Sequence, residues 1–459
     1  MSTQYDAIII GTGQSGPSLA GRLNQEGLKT AIIERHLVGG TCVNVGCIPT
    51  KTLVGSARIA YLAQQAAEFG VSIEGDVSVD MQRVKARKDE IAGASNQGVT
   101  NWLEGMEHVD LIRDHARFVD AHAVKVNGQT LEAEKIFINV GARARVPDWP
   151  GIDDVPYFTN SSIMDVDFLP EQLLIIGGSY IGLEFAQMYR RFGSEVTVIE
   201  MQDRIIGRDD DDVSDAVQEI LEGEGVRFRL NADCIAARAT DDGITVQVTC
   251  DEGPEEETGS HLLIAVGRVP NTDDLGLDKA GIEANQFGYI DVDDHLQTNV
   301  PGVWAIGDVN GKGAFTHTSY NDYEIVAANL FDDDPRKVSD RLLCYGLYID
   351  PPLGRIGLTE KQVRDSGRRA LMGTRMMTRV GRAKEFGETR GFIKIIVDAD
   401  TEEILGAAIL GLNGDEVIHC LLDVMYARQP YTVISRAVHI HPTVAELIPT
   451  VLQEMQPLE

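Results

Sequence analysis

The chain carries one short pattern twice, and few folds can hold it. Tyr5–Ile10 reads as a buried parallel strand that runs straight into Gly11-Thr12-Gly13-Gln14-Ser15-Gly16. A helical pattern continues to about Glu26, and Thr30–Ile33 is a second strand ending in Glu34. Strand Leu173–Ile176, turn Gly177-Gly178-Ser179-Tyr180-Ile181-Gly182, a helix to about Arg191 and strand Glu195–Ile199 ending in Glu200 repeat that order. Gly11 lies 23 positions before Glu34, and Gly177 lies 23 before Glu200. In such a unit the first glycine makes the tight turn, the second admits a pyrophosphate against backbone, and the third lets helix pack on strand. The pyrophosphate then rests on the helix N-terminus, where free N–H groups and the dipole favour an anion. Glu34 and Glu200 are placed to take ribose hydroxyls. Two such units predict an α/β protein with two Rossmann-like domains and two bound dinucleotides. Ser179 at the middle glycine position of the second unit leaves somewhat less room for phosphates.

Charge narrows the partners. With 71 acidic against 41 basic residues the formal net charge is -30, which repels nucleic acid and anionic membrane. No stretch has the length of a bilayer span, and Met1–Asp6 lacks the basic start of a signal peptide. A cytoplasmic protein is the expectation. Of the 6 cysteines, Cys234, Cys250, Cys344 and Cys420 are scattered, which is not a secreted disulfide framework. The remaining two, Cys42 and Cys47, sit five positions apart in Gly39-Gly40-Thr41-Cys42-Val43-Asn44-Val45-Gly46-Cys47-Ile48-Pro49-Thr50-Lys51. In a reducing compartment such a close pair reads as redox chemistry. The segment after Cys47 is helix-compatible, so a helix dipole would face the pair and favour thiolate.

Long helices are expected over Thr52–Phe69 and Met81–Leu103, and short strands forming a meander over Val109–Val140. Pro147-Asp148-Trp149-Pro150-Gly151 marks a boundary. The acid run Arg208–Asp212 reads as first-turn carboxylates facing a helix dipole rather than as a metal site. From about Ser339 strands such as Gly391–Val397 and Ile404–Leu410 alternate with helices such as Glu416–Ala427, an α+β domain without a glycine fingerprint. It closes on Val438-His439-Ile440-His441-Pro442-Thr443-Val444-Ala445-Glu446.

Taken together, these motifs resemble the flavoprotein pyridine nucleotide–disulfide oxidoreductases, the family of dihydrolipoamide dehydrogenase, glutathione reductase and mercuric reductase. The resemblance rests on the two fingerprints, the Gly-Gly-Thr-Cys-x4-Cys-Ile-Pro-Thr-Lys stretch, Ala265-Val266-Gly267-Arg268-Val269-Pro270-Asn271, Ala305-Ile306-Gly307-Asp308 and His441-Pro442-Thr443-x-x-Glu446. It implies an FAD-binding domain over 1–147 and 271–338, an NAD(P)-binding domain over 148–270, and a dimerisation domain over 339–459. FAD would lie on Gly11, Gly13, Gly16 and Glu34, with Gly40, Thr41, Val140, Gly141, Ser161 and Thr316 around the flavin, Ala116 at the adenine and Asp308 on the ribityl chain. NAD would lie on Gly177, Ile181, Gly182, Glu200 and Gly267, with Tyr180 as an aromatic gate. Lys51 would pair with Glu184 beside the flavin. The family's roles put Cys47 against flavin and Cys42 toward substrate, with His441 and Glu446 as a base dyad reaching the partner subunit of a homodimer. His439 competes for that role. Electrons would pass from NAD(P)H through FAD to the Cys42–Cys47 disulfide and on to a disulfide or metal-ion acceptor. Glu200 favours NAD(H) over NADP(H), with Arg204 nearby as the competing signal.

Three readings of the acceptor stay open. Pro351-Pro352-Leu353-Gly354 and Thr389-Arg390-Gly391-Phe392-Ile393-Lys394 look most like the mercuric reductase-like branch, without that branch's C-terminal cysteine pair. A dihydrolipoamide dehydrogenase is the second, and an NADH diaphorase or oxidase the third.

Overall fold

The computed structural model describes residues 2–249 and 255–458; Cys250 lies outside them. Ala7–Ile10 is buried on both faces, as a central parallel strand must be. It pairs in parallel with Thr30–Glu34 and Lys135–Ile138, and Val109–Arg113 and Val303–Ala305 complete a five-stranded sheet. The second unit repeats this as a four-stranded parallel sheet centred on Gln172–Ile176, with Glu195–Ile199, Val226–Arg229 and His261–Ile264. The correspondence reaches single bonds. Gly11 N donates to the Ile33 carbonyl at 2.7 Å, and Gly177 N to the Ile199 carbonyl at 2.8 Å.

The chain returns from the second sheet to the first through Arg268–Pro270, which pairs antiparallel with Ala142–Ala144. A six-stranded antiparallel sheet follows from Cys344 onward, and two of its strands, Phe392–Asp398 and Ile404–Leu410, are buried along their whole length. No helix among the described residues is long and apolar enough to cross a membrane.

Three sequence expectations shift. The cysteine helix begins at Cys47 and ends at Gln64, where a separate turn, Ala66–Phe69, takes over. The helix expected over 416–427 is broken into Gly414–Val417 and His419–Tyr426. The acid run does more than face a dipole. Asp211 and Asp212 do open the helix Asp211–Gly223, but Asp209 and Asp210 point into the third sheet. There Tyr345, Arg355, Ala408 and Lys394 sit side by side across four strands, and cross-strand neighbours share a face. Arg355 bonds Asp210 at 2.8 Å, while the buried Lys394 ammonium reaches Asp210 at 3.0 Å, Asp212 at 2.5 Å and Glu360 at 2.6 Å. The Asp210–Asp212–Glu360 cluster is thus filled by an ammonium.

A second buried tether joins the same parts. Arg191, on the helix Tyr180–Phe192, pairs with Glu224 and Asp350, each at 2.7 Å. Arg390 adds to Glu224 at 2.8 Å, and Arg58 of the cysteine helix closes on Asp350.

Candidate active site

Both fingerprints close on their neighbours in the same way. Gly11 holds φ +106°, and a side-chain carbon there would stand 2.2 Å from the Asn139 carbonyl oxygen. Gly177 holds φ +111°, with the Ala265 carbonyl oxygen at 2.5 Å. Any other residue would displace backbone at these two turns. Gly16 and Gly182 press against the carbonyls of Gly11 and Gly177 from the helix side. A side-chain carbon at Gly13 would meet only ordinary contacts, the nearest with the Asn139 amide nitrogen at 3.5 Å. Its counterpart Ser179 has ordinary extended backbone and an exposed side chain, so the substitution strains nothing. Glu34 accepts from Thr12 N at 3.0 Å, Thr12 Oγ1 at 2.6 Å and His36 N at 2.8 Å. Glu200 accepts from Gly178 N at 2.7 Å and Gln202 N at 2.9 Å. Each carboxylate therefore also braces the turn that precedes its helix.

One cleft of about 2790 Å³ runs between the fingerprints and past the cysteines, well beyond the roughly 300–1,000 Å³ of an ordinary small-molecule pocket. On the first side it is lined by Gly11, Gly13, Glu34, Gly40, Thr41, Ala116, Val140 and Gly141. On the second it is lined by Gly177, Tyr180, Ile181, Glu184, Glu200 and Gly267, with Asp308 and Thr316 on the return of the chain. Ser161 borders an adjoining recess with Thr41 and Arg268. His441 and Glu446 are not brought to this cleft. His441 is 80% exposed, its Nδ1 2.9 Å from Glu446 Oε2, while His439 contacts the Ala437 carbonyl at 3.2 Å.

The cysteines meet at a helix start. Gly46 caps the helix whose first residue is Cys47, so unpaired backbone N–H groups face the sulfur. Cys42, Cys47, Cys234, Cys344 and Cys420 are free thiols. Cys47 is lowered to about 6, first by a hydrogen bond from Cys42 and then by the Thr316 hydroxyl and the Lys51 charge. Cys42 is raised, by donating that bond and by burial. The proton of the pair therefore stays on Cys42 and the charge on Cys47. Thr316 Oγ1 lies 2.9 Å from Cys47 Sγ. Lys51 Nζ is 2.7 Å from Glu184 Oε2 and 4.5 Å above the Tyr348 ring. The second oxygen of Glu184 accepts from Tyr348 N at 3.0 Å.

Three residues that sequence reasoning did not single out shape the dinucleotide floor. The Asn139 amide donates to the carbonyls of Gly11 and Gly13, each at 3.2 Å. Asp322 accepts from Gly307 N and Asn310 Nδ2, both at 2.8 Å, with Arg341 on its other oxygen, and so fixes the turn that presents Asp308. Arg268 Nε lies 3.7 Å from Asp308 Oδ2. That nitrogen is buried without a hydrogen-bond partner among the described residues. Burial raises Asp308 above the usual carboxylate range. A bared glycine turn at a helix start and a half-buried carboxylate beside a guanidinium nitrogen that lacks a hydrogen-bond partner among the described residues suit the pyrophosphate and polyol of a dinucleotide such as FAD.

Residues 5–322 match the family model of pyridine nucleotide-disulphide oxidoreductases, and 344–452 match its dimerisation domain. The chain belongs to the pyridine nucleotide-disulphide oxidoreductase family. It is 37% identical over 451 residues to the RclA oxidoreductase of Escherichia coli, covering 96% of this chain and 97% of that one. A dihydrolipoyl dehydrogenase of Cupriavidus necator is 33% identical, covering 98% and 97%. A mercuric reductase of Streptomyces lividans is 31% identical, covering 97% and 95%. The structure of the HOCl-induced flavoprotein disulfide reductase RclA from Escherichia coli superposes with TM-score 0.90 at 35% identity, covering 98% of this chain and all of that one. A further structure of that protein is a Cu(II) complex. This family is FAD-dependent and uses a pyridine nucleotide. The protein is accordingly an FAD-dependent oxidoreductase that carries the family's dimerisation domain.

Proposed function

We propose that this protein is an NADH-dependent flavoprotein reductase whose Cys42–Cys47 pair delivers electrons to a small disulfide or a thiophilic metal ion. The observation that carries this reading is the unequal pair: Cys47 opens a helix with the Thr316 hydroxyl 2.9 Å from its sulfur, which lowers its pKa, and Cys42 lies beside it, in a cleft shared by two dinucleotide fingerprints.

We assign residues 1–147 and 271–338 to FAD, 148–270 to the nicotinamide dinucleotide and 339–459 to dimerisation. FAD is held by Gly11, Gly13, Gly16 and Glu34, by Gly40, Thr41, Val140, Gly141, Ser161 and Thr316, and by Ala116 and Asp308. When bound it supplies a two-electron carrier between nicotinamide and sulfur. Gly177, Ile181, Gly182, Gly267 and Glu200 hold NAD(H), and Tyr180 gates it. The Glu200 carboxylate repels a 2′-phosphate, and Arg204, which would attract one, is already engaged by Asp211 and Asp215.

Cys47 faces the flavin and Cys42 the acceptor. Lys51, oriented by Glu184, keeps positive charge beside the Cys47 thiolate. With a disulfide acceptor, His441 takes the proton of the Cys42 thiol as its sulfur bonds one acceptor sulfur, and passes that proton to the acceptor sulfur that leaves. Cys47 thiolate then attacks the Cys42 sulfur, closes the Cys42–Cys47 bond and releases the second acceptor sulfur as a thiolate, which takes its proton from water. Glu446 orients His441 through its contact with Nδ1. His441 and its exposed neighbours Val438 and Ile440 suit a homodimer in which the dyad serves the partner's cysteines. With a metal ion, the two sulfurs are soft ligands, and the Cu(II) complex of the Escherichia coli relative favours this acceptor class. Thiolate chemistry of this kind belongs in a reducing compartment such as the cytoplasm.

The test is anaerobic reduction with NADH, read as long-wavelength thiolate–flavin absorbance. The band persists in Cys42→Ser and vanishes in Cys47→Ser. The opposite pattern would reverse the assignment. Turnover of Cu(II) but not lipoamide by the same sample selects the metal ion, and the converse selects the disulfide.

A further inference from the structure

Tyr180 is the first residue of the helix that follows the second fingerprint, and it does not stand alone. Its ring lies 5.3 Å from that of Tyr345 and 6.3 Å from that of Phe315. Tyr345 is itself stacked flat on Phe315, at 5.6 Å and 10° between planes, and Phe315 is stacked on His317 at 5.3 Å and 10°. These contacts fix the Tyr345 ring but leave Tyr180 tilted at 52° against its edge of the stack. Offset and tilted aromatic pairs of this kind attract beyond simple burial.

The Tyr345 hydroxyl adds an anchor. It donates to Asp209 Oδ2 at 2.9 Å. Asp209 is buried, its Oδ1 accepts no hydrogen bond among the described residues and lies 3.8 Å from Arg355 Nε. Tyr345 and Arg355 are register partners across adjacent strands, so one edge of the third sheet presents both a hydroxyl and a guanidinium to the same carboxylate. Asp209 belongs to the nicotinamide unit and Tyr345 to the C-terminal sheet. The ring that backs Tyr180 is therefore set by the contact between two domains, not by the helix that carries Tyr180.

We propose that Tyr345 is a positioning residue that holds Tyr180 in its closed place, so that the Tyr345–Asp209 bond sets how readily the cleft admits nicotinamide. This rests on the reading of Tyr180 as the gate. A closed gate competes with nicotinamide, and apparent affinity scales with the open fraction. Loosening the anchor raises that fraction and tightens binding of the nicotinamide half alone. The adenine half, held by the fingerprint and Glu200, is untouched.

The test compares Tyr345→Phe, which loses only the hydroxyl, Tyr345→Leu, which loses the ring, and Tyr180→Ala in the FAD-loaded full-length protein. Calorimetric dissociation constants are measured for NAD⁺ and for ADP-ribose, which lacks nicotinamide. Both Tyr345 variants should bind NAD⁺ about fivefold more tightly, with ADP-ribose unchanged, KM for NADH lowered in parallel and kcat little altered. Tyr180→Ala should reproduce the shift. Unchanged NAD⁺ affinity in both Tyr345 variants, with a shift in Tyr180→Ala, overturns the role of Tyr345 and leaves the gate standing. No shift in Tyr180→Ala overturns the gate and this inference with it. Equal changes for NAD⁺ and ADP-ribose, or a fall in kcat with KM constant, would mark distortion of the fold and also overturn it.

Discussion

Cys47 Sγ and Thr316 Oγ1 lie 2.9 Å apart although 269 positions separate them. The hydroxyl comes from the start of a helix in the returning segment of the first domain, and it meets the sulfur that carries the charge. A hydroxyl donating to an anion contributes about 1.5–3 kcal/mol, or roughly one to two pH units on the thiolate. Thr316→Val should therefore raise Cys47 from about 6 toward the ordinary thiol range. The check is the pH at which the thiolate–flavin band of the reduced enzyme disappears, with Thr316→Ser behaving as the parent.

The same titration has a fixed sign in the parent protein. Cys47 is lowered, to about 6, so its thiolate is present above that pH and protonates as pH falls through it. The charge-transfer band and the rate of disulfide opening should both fade in that window, while Cys42, which is raised, stays protonated across it. A band that survived well below pH 5 would contradict the assignment.

Lys51 and Glu184 separate stability from chemistry. Glu184 is buried, and among the described residues Lys51→Met leaves it the Tyr348 N–H. The cost expected is about 1–3 kcal/mol, discounted because Lys51 is a third exposed, and it is read as a lower melting temperature. Lys51→Met combined with Glu184→Gln should regain most of that stability but not the low pKa of Cys47. Recovery of both would mean that the ammonium does not act on the sulfur.

His441 predicts a split by acceptor. Its replacement by Ala should slow reduction of a disulfide by about 10²–10⁴-fold, the usual range for a lost acid–base group. Anaerobic flavin reduction by NADH, followed by stopped flow, should keep its rate.

Glu200→Gln removes charge while keeping an acceptor for the Gly178 and Gln202 amides. The ratio of kcat/KM for NADPH over NADH should rise by about tenfold, equivalent to ~1.4 kcal/mol. A ratio that did not move would place cofactor choice elsewhere.

What was legible in the chain was local. The two strand–turn–helix units and the helical character of the segment after Cys47 follow from glycine placement and apolar runs within some 25 positions of each other, but the helix's first residue does not. Long-range partners were not. Nothing near Asn139 indicates that its amide will bridge Gly11 and Gly13, and nothing near Asp322 announces the turn at Gly307. The acid run at 208–212 was read by its own helix, because dipole arguments need only neighbours. Its larger role depends on Arg355 and Lys394, which arrive more than 140 positions later. The pairing of His441 with Glu446 followed from the family motif and is present at 2.9 Å, whereas a single chain does not bring it to the cysteine cleft.

The Lys394 ammonium has a consequence for how the molecule can be divided. It is wholly buried in the third sheet, yet its three carboxylates include two, Asp210 and Asp212, from the unit built on the second fingerprint. A buried cation stripped of its partners is strongly destabilising. Cutting the chain near 339 would leave Lys394 and Arg355 without their aspartates inside an otherwise apolar strand row. The C-terminal piece should therefore fail as an autonomous fragment. Evolutionary shuffling of the third domain onto another reductase would have to bring Asp210 and Asp212 along with it.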